Sequence, residues 1–457
     1  MARIVILGGG FGGLYTALEL EGVLARRNDL EVTLVNRDNF FLFTPMLHEV
    51  AASDLDVTHI VNPVRKLLKR VRFFEGNVEQ IDIERRTVLV NHTDGSHGHT
   101  LEYDQLVLGL GSATNFFDLP GLEERAFTMR TLGDALALRN RLIANLEAAD
   151  FECASGVRDP LLTVVVAGGG FAGVETIAGI NDFVREALRF YPHLSKELIG
   201  MVLVHPGEYL LPELGEKLGR YAGEVLASRG VEVRLKTRVA RATDRGVELS
   251  DGTFIDTNTL VWTAGNSVHP LIASLPAKKA RGRLVVDEFL RVEESPGVWA
   301  LGDCASAHPP TAQHALREGK LVAKNLIAAI DGREMSPFSF RTIGQLAAIG
   351  RRTGVARIFG VNFSGFLAWW LWRTIYLAKL PRFEKKVRVA LDWALDLMFS
   401  KDLVQLQTPR TNRNETRKDH ESQASSGDRA PGGRLPAREE LETIRTLPLR
   451  EAMGDGP

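Results

Sequence analysis

The stretch RIVILGGGFGG at residues 3–13 decides the fold, and TVVVAGGGFAG at residues 163–173 repeats it. Each opens with an unbroken apolar run, the pattern of a parallel strand buried on both faces. Each run then enters a glycine turn that leads into apolar helical sequence. Gly8, Gly10 and Gly13 fit G-x-G-x-x-G, and Gly168, Gly170 and Gly173 fit it again. The first glycine permits a tight turn, the second lets backbone approach a pyrophosphate, and the third lets the helix pack on the sheet. The helix N-terminus presents its positive dipole end to the phosphates. One such turn is weak evidence, because glycines also serve packing; two in strand–turn–helix context point to two dinucleotide sites.

The repeat extends beyond the turns. Each unit has a polar turn, Thr93-Asp-Gly95 or Ser250-Asp-Gly252, followed by a strand that ends in a glycine bend, LVLGLG at 106–111 or LVWTAG at 260–265. Gly8 to Gly111 spans 103 residues and Gly168 to Gly265 spans 97. Matched order at matched spacing predicts two Rossmann-like units, each with an antiparallel crossover hairpin. Gly111 and Thr114 occupy the bend where the first unit's last strand meets its cofactor, and Gly265 is the counterpart in the second. VWALGD at 298–303 brings the chain back, and a helix follows over 312–330, with Thr311 placed to cap it.

An acid that binds a ribose normally ends the second strand of such a unit. Here Asn36-Arg37 and His205 stand at those positions, with Asp38 a nearby alternative in the first unit. Asn36 still offers uncharged hydrogen bonds to a ribose. His205 is equally readable as a ribose contact or a plain surface histidine. No acid there repels a 2′-phosphate, so NADPH stays open beside NADH, with a modest preference expected for NADH.

The chain has 457 residues, 25% of them charged, and a formal net charge of -1, which does not point to nucleic acid. Its two cysteines, Cys153 and Cys304, form no Cys-x-x-Cys pair, and this sparse usage fits a reducing compartment. Cys304 reads as a small buried thiol. The histidines show no ligand spacing, so no metal is expected. The N-terminal Met-Ala-Arg enters a strand directly, which predicts no signal peptide, and no apolar run is long enough to span a bilayer.

These residues resemble the two-dinucleotide-binding flavoprotein superfamily, and within it type II NADH dehydrogenases, the non-pumping NADH:quinone oxidoreductases. The resemblance covers residues 1–407. It rests on FTPMLHEVA at 43–51, NPVRKLL at 62–68, GGGFAGVE at 168–175 and AQHALREGKLVA at 312–323. The last is similar to the family's A-Q-x-A-x-Q-x-G quinone-site motif and departs from it at Arg317. The implied fold is α/β: two Rossmann-like dinucleotide-binding domains with a C-terminal amphipathic helical membrane-docking module. The implied domains are residues 1–120 and 286–337 for FAD and 121–285 for NAD(P)H, followed by the docking module at 338–407 and a disordered tail at 408–457.

The resemblance also assigns roles. Asp303 binds the flavin's ribityl chain, while Thr44, Pro45 and Leu47 lie beside the flavin. Arg65 meets a flavin phosphate or caps a helix. Ala312 and Gln313 open the helix whose N-terminal dipole would stabilise reduced flavin, and Gln313 can touch flavin and quinone. Glu175 orients the nicotinamide or relays a proton to the quinone. For Glu175 the plain alternative is an acid favoured by the dipole in a helix's first turn.

Two other functions remain open on these residues: a sulfide:quinone oxidoreductase, which needs cysteines flanking the flavin, and a slow redox sensor or scaffold that binds the same cofactors. Residues 341–404 carry eleven Lys or Arg against four Asp or Glu, a net +7. With the aromatic run FSGFLAWWLW at 363–372 and a helix that places Val387, Leu391, Ala394 and Met398 on one face, this stretch is expected to lie on an anionic membrane surface. The protein is then peripheral, on the cytoplasmic face. A homodimer seam is the alternative use of the same aromatics.

Overall fold

The computed structural model describes residues 1–93 and 97–406. The polar turn expected at Thr93-Asp-Gly95 falls partly outside these residues, and the tail expected at 408–457 falls wholly outside them. The two glycine repeats become two five-stranded, all-parallel sheets that share the arrangement of four strands and differ in the edge strand, which comes last in the chain in the first sheet and first in the second. In the first, Val298–Ala300, Gln105–Leu108, Ala2–Leu7, Leu30–Asn36 and Arg72–Glu75 lie side by side. In the second the order is Phe127–Thr128, Thr259–Trp262, Thr163–Ala167, Gly200–Val204 and Val231–Arg234. In each sheet the strand before the glycine turn is central and buried on both faces, which explains its unbroken apolar sequence.

Each unit inserts an antiparallel sheet, between Arg72–Glu75 and Gln105–Leu108 in the first and between Val231–Arg234 and Thr259–Trp262 in the second. These are three-stranded meanders, Asn77–Asp82 with Thr87–Asn91 and Gly98–Glu102, and Val239–Ala242 with Gly246–Leu249 and Phe254–Asp256. The sequence pattern suggested a hairpin; the short third strands escaped it because most of their residues are exposed or half-exposed and carry little apolar alternation. The two units are joined by a two-stranded link in which Ser112–Thr114 pairs with Asn266–Val268.

The C-terminal module departs from its expectation. It is helical only in its second half. An antiparallel sheet, Gly344–Ala348, Gly354–Ile358 and Val361–Gly365, precedes the helices Phe366–Lys379 and Phe383–Leu395. Among the described residues no helix is long and apolar enough to cross a membrane.

Candidate active site

Two helix N-termini converge beside the first sheet. The helix Phe11–Leu24 follows the first glycine turn, and Ala312–Ile330 lies against it. Their contact is close enough that the Thr16 hydroxyl bonds to the Gly319 carbonyl at 3.1 Å. A Cβ on Gly319 would lie 2.3 Å from the Gly12 carbonyl oxygen, so only glycine admits this approach. Thr311 caps the second helix as expected, its side chain accepting from the His314 N–H at 3.3 Å.

The glycine turns have the geometry their spacing implies. Gly8 and Gly168 have φ of +97° and +117°. Side chains are also excluded at Gly13 and Gly173, whose added Cβ would meet the carbonyl of the first motif glycine at 1.9 and 1.7 Å. At Gly10 and Gly170 an added Cβ meets nothing within 4 Å, so these backbones face open space in front of a helix N-terminus. Gly111 and Gly265 both sit at φ +75° just before the linking strands.

Asn36 and His205 have a shared role that the sequence reading missed. The Asn36 side-chain oxygen accepts from the Gly9 N–H at 2.7 Å, and its amide donates to the Asp38 carbonyl at 2.7 Å. His205 Nδ1 accepts from the equivalent Gly169 N–H at 3.1 Å. Each braces its glycine turn from the next strand. Burial lowers the His205 pKa and holds the ring neutral, as an accepting Nδ1 requires. Arg37 is exposed and reaches Asp38 at 3.5 Å.

Asp303 sits in the short turn Gly302–Cys304 and accepts from the Ser112 hydroxyl at 2.6 Å. Arg130, which sequence reasoning passed over, donates to the Ser112 carbonyl at 2.5 Å and to Asn266 at 2.7 Å. Burial pushes the Arg130 pKa down, while Asp303 opposes that shift. Glu318 accepts from the Gly302 N–H at 2.6 Å, and burial raises its pKa to about 7. The buried Cys304 thiol lies 3.6 Å from the Gly111 carbonyl, and its pKa is pushed up to about 12 by burial, so it is an inert packing group.

A cavity of about 580 Å³ opens between these elements. Thr44, Pro45 and Leu47 line one wall, Glu175 another, and Ala312 with Gln313 a third; Ile375, Tyr376 and Lys379 of the C-terminal module close it. Gln313 is fixed by donating to the Gly344 carbonyl at 2.6 Å. Arg317, the departure from the family motif, also lines the cavity, with its guanidinium 3.9 Å over the Phe340 ring. Arg65 and Thr114 do not line it. Arg65 is exposed and stacks over Phe73 at 5.1 Å, while Thr114 borders a separate groove with residues 115–121. Cys153 is exposed and Cys304 buried, and neither lines the cavity, so no cysteine stands where a sulfide oxidoreductase would need one.

Glu175 belongs to the second turn of Phe171–Ala187, not the first, so the helix dipole does not account for it. It is 8% exposed and accepts from the Trp372 indole N–H at 2.9 Å and the Ala348 N–H at 3.1 Å. Both donors come from the C-terminal module. Burial raises its pKa to about 8, with the two hydrogen bonds opposing. His48 Nδ1 lies 3.9 Å away, and burial lowers the pKa of that imidazole to about 3, so it is neutral.

A family model described as pyridine nucleotide-disulphide oxidoreductase matches residues 2–319, and one described as the NDH2 C-terminal domain matches residues 343–402. The chain belongs to the pyridine nucleotide-disulphide oxidoreductase family. Within that family it is of the type II NADH dehydrogenase kind. It is 32% identical over 420 residues to a type II NADH:quinone oxidoreductase of Mycobacterium tuberculosis, covering 87% of this chain and 89% of that one. A demethylphylloquinone reductase of Synechocystis is 32% identical over 406 residues, with 86% and 95% covered. NDH2 of Plasmodium falciparum, solved in complex with NADH, superposes with a TM-score of 0.82 at 19% identity, over 88% of this chain and 99% of that one. That likeness extends the family fold through the C-terminal module.

Proposed function

We propose that this chain is an FAD-dependent NAD(P)H:quinone oxidoreductase that takes a hydride from NADH and passes electrons to a membrane quinone without pumping protons. The observation that carries this reading is a single cavity, mostly apolar and closed by residues of the C-terminal module, that both Glu175 and Gln313 line. Two of the relatives named above carry quinone reduction in their names.

The residues fit FAD in the first unit. Gly10 leaves open space before a helix N-terminus for a pyrophosphate, Asp303 offers a carboxylate to hydroxyl groups, and the N-terminus of Ala312–Ile330 adjoins the cavity. FAD bound there supplies a carrier that accepts hydride and returns electrons to a second substrate. Residues 1–120 and 286–337 hold it, and residues 121–285 bind the nicotinamide cofactor through Gly168, Gly170 and Gly173. Thr44 and Pro45 press the flavin side, Gln313 orients the acceptor, and Glu175 holds a proton for the reduced quinone.

The C-terminal module docks on an anionic membrane surface at the cytoplasmic face. Phe366 and Trp370 on one helix are 60% and 50% exposed, and Phe383, Val387 and Leu391 on the next are 79%, 51% and 56% exposed. Neighbouring exposed apolar side chains of this kind mark an interaction surface. The basic residues contribute less than their number suggests. Lys385 donates inward to the Thr58 carbonyl, Lys401 pairs with Asp54, and Arg373 stacks between Trp369 and Trp393. Trp372, Trp393 and Tyr376 likewise pack inward, so apolar insertion leads and charge assists.

The test is steady-state oxidation of NADH and NADPH by purified yellow protein with several quinones. Fast turnover is expected; bound flavin with negligible quinone reduction would overturn the proposal and leave a sensor.

A further inference from the structure

Reduction of a quinone to hydroquinone takes two electrons and two protons. NADH supplies both electrons and one hydrogen nucleus as hydride, so one proton per turnover comes from water. Apolar side chains such as Ile343, Leu346 and Ile375 line much of the main cavity. Glu175 needs a polar connection to solvent to supply that proton.

A second, narrow cavity of about 40 Å³ meets the first at His48 and Glu175, which line both. At roughly 10–15 Å³ per water, it has room for about three or four. Glu49, Asp54 and Lys401 line it, as do Asp182, Glu186 and Arg351. The last three also border an open surface groove of about 440 Å³. The cavity therefore runs from the buried Glu175 to solvent.

Most of its lining residues are ionisable, and their hydrogen bonding is incompletely satisfied. Arg373 Nε and Asp396 Oδ1 are buried and make no hydrogen bond among the described residues, as expected where water completes the bonding. The 3.9 Å separation of His48 and Glu175 also suits a bridging water.

Glu49 is the central group. It is 6% exposed and accepts from the Trp393 indole N–H at 3.3 Å. It is faced by Arg373 from the helix Phe366–Lys379, by Asp54 and Lys401, and by Glu175 across the cavity. Burial raises its pKa to about 8, partly offset by Arg373. Burial thus shifts both carboxyls in the same direction, toward neutral pH, where each can hold a proton. Neutral His48, which lines the same cavity, adds no repelling charge.

We propose that Glu49 and the water in this narrow cavity carry the solvent proton of each turnover from the groove at Asp182 and Glu186 to Glu175. The inference rests on the quinone-reductase reading above. The proton enters at the outer carboxylates, protonates Glu49, passes by water to Glu175, and leaves on the quinone oxygen; Glu49 is then reprotonated from solvent. No net charge accumulates over the cycle. Asp54 and Lys401, joined at 2.5 Å, are positioning residues that hold the passage polar and open.

The test uses the full-length, FAD-loaded protein and Glu49→Gln, which keeps the shape and removes the exchangeable acid. In stopped flow, flavin reduction by NADH stays unchanged. Flavin reoxidation by a short-chain quinone slows by roughly 100-fold, the lower end of what a placed proton donor contributes, and recovers in part as pH falls. Reoxidation by ferricyanide, which takes up no proton, stays unchanged. Independently of turnover, an infrared pH titration of the wild-type protein shows buried carboxyl bands titrating near neutral pH, one of them absent from Glu49→Gln. Equal quinone rates in the two proteins overturn the relay alone. A wild-type flavin that ferricyanide reoxidises and quinone does not overturns the underlying reading as well. If Glu49→Gln fails to retain FAD, the wild-type titration decides: absence of such bands overturns the relay.

Discussion

Replacing Glu175 by Gln should change stability in a pH-dependent way whose sign follows from its burial. In the unfolded chain this carboxyl ionises near 4.5; in the fold burial raises that to about 8. Between these values the folded protein holds one proton more than the unfolded chain. Stability therefore falls as pH rises through that window, and the contribution is level below it and above it. Each pH unit is worth about 1.4 kcal/mol, so at pH 7.5 the carboxyl costs about 4 kcal/mol relative to pH 4.5. Glutamine does not titrate and does not incur that cost. It retains an acceptor for the Trp372 and Ala348 donors, while its new amide hydrogens lack a partner near His48, a fixed penalty on the order of 1–3 kcal/mol. The variant should then be less stable than wild type near pH 5 and at least as stable above pH 8. Thermal unfolding of both holoproteins across pH 5–9 measures the difference. Two melting profiles that stay parallel across this range would refute the burial argument.

Gln313→Ala should remain yellow and lose quinone reduction more than flavin reduction, because Gln313 spans from the cavity to the Gly344 carbonyl; a colourless variant would make its role structural. NADH should be modestly preferred over NADPH, since His205 is committed to Gly169 and supplies no cation for a 2′-phosphate; a large NADPH preference in kcat/KM would show another clamp at work. Leu391→Glu should weaken co-sedimentation with anionic liposomes at least about tenfold, as an exposed apolar side chain of this size contributes about 1.5–3 kcal/mol when buried. Unchanged binding would move docking elsewhere and favour a dimer seam, which sedimentation velocity would then reveal.

Much of the fold was legible because parallel strands buried on both faces leave an unbroken apolar signature. The glycine turns fixed two strand–helix junctions, and the helix at 312–330 was bounded by its Thr311 cap. The site was legible where motif and function coincide: Thr44, Pro45, Glu175, Ala312 and Gln313 do come together. The rest needed three dimensions. The sheet at 344–365 did not stand out from its basic, aromatic surroundings, and several of its outer residues are exposed. Trp372 reads like its exposed neighbour Trp370, yet it is fully buried against Glu175. Arg373 and Lys401 read as surface charge because their partners, Glu49 and Asp54, lie more than three hundred residues away.

In this mechanism one protein carries electrons from nicotinamide to quinone through a single bound flavin. Anaerobic stopped-flow absorbance of the purified protein follows both half-reactions. Mixing with NADH should bleach the flavin, and a second mix with a short-chain quinone should restore the oxidised spectrum at a rate that accounts for steady-state turnover. A flavin that NADH reduces and quinone leaves reduced, or restores far more slowly than turnover, would contradict the account.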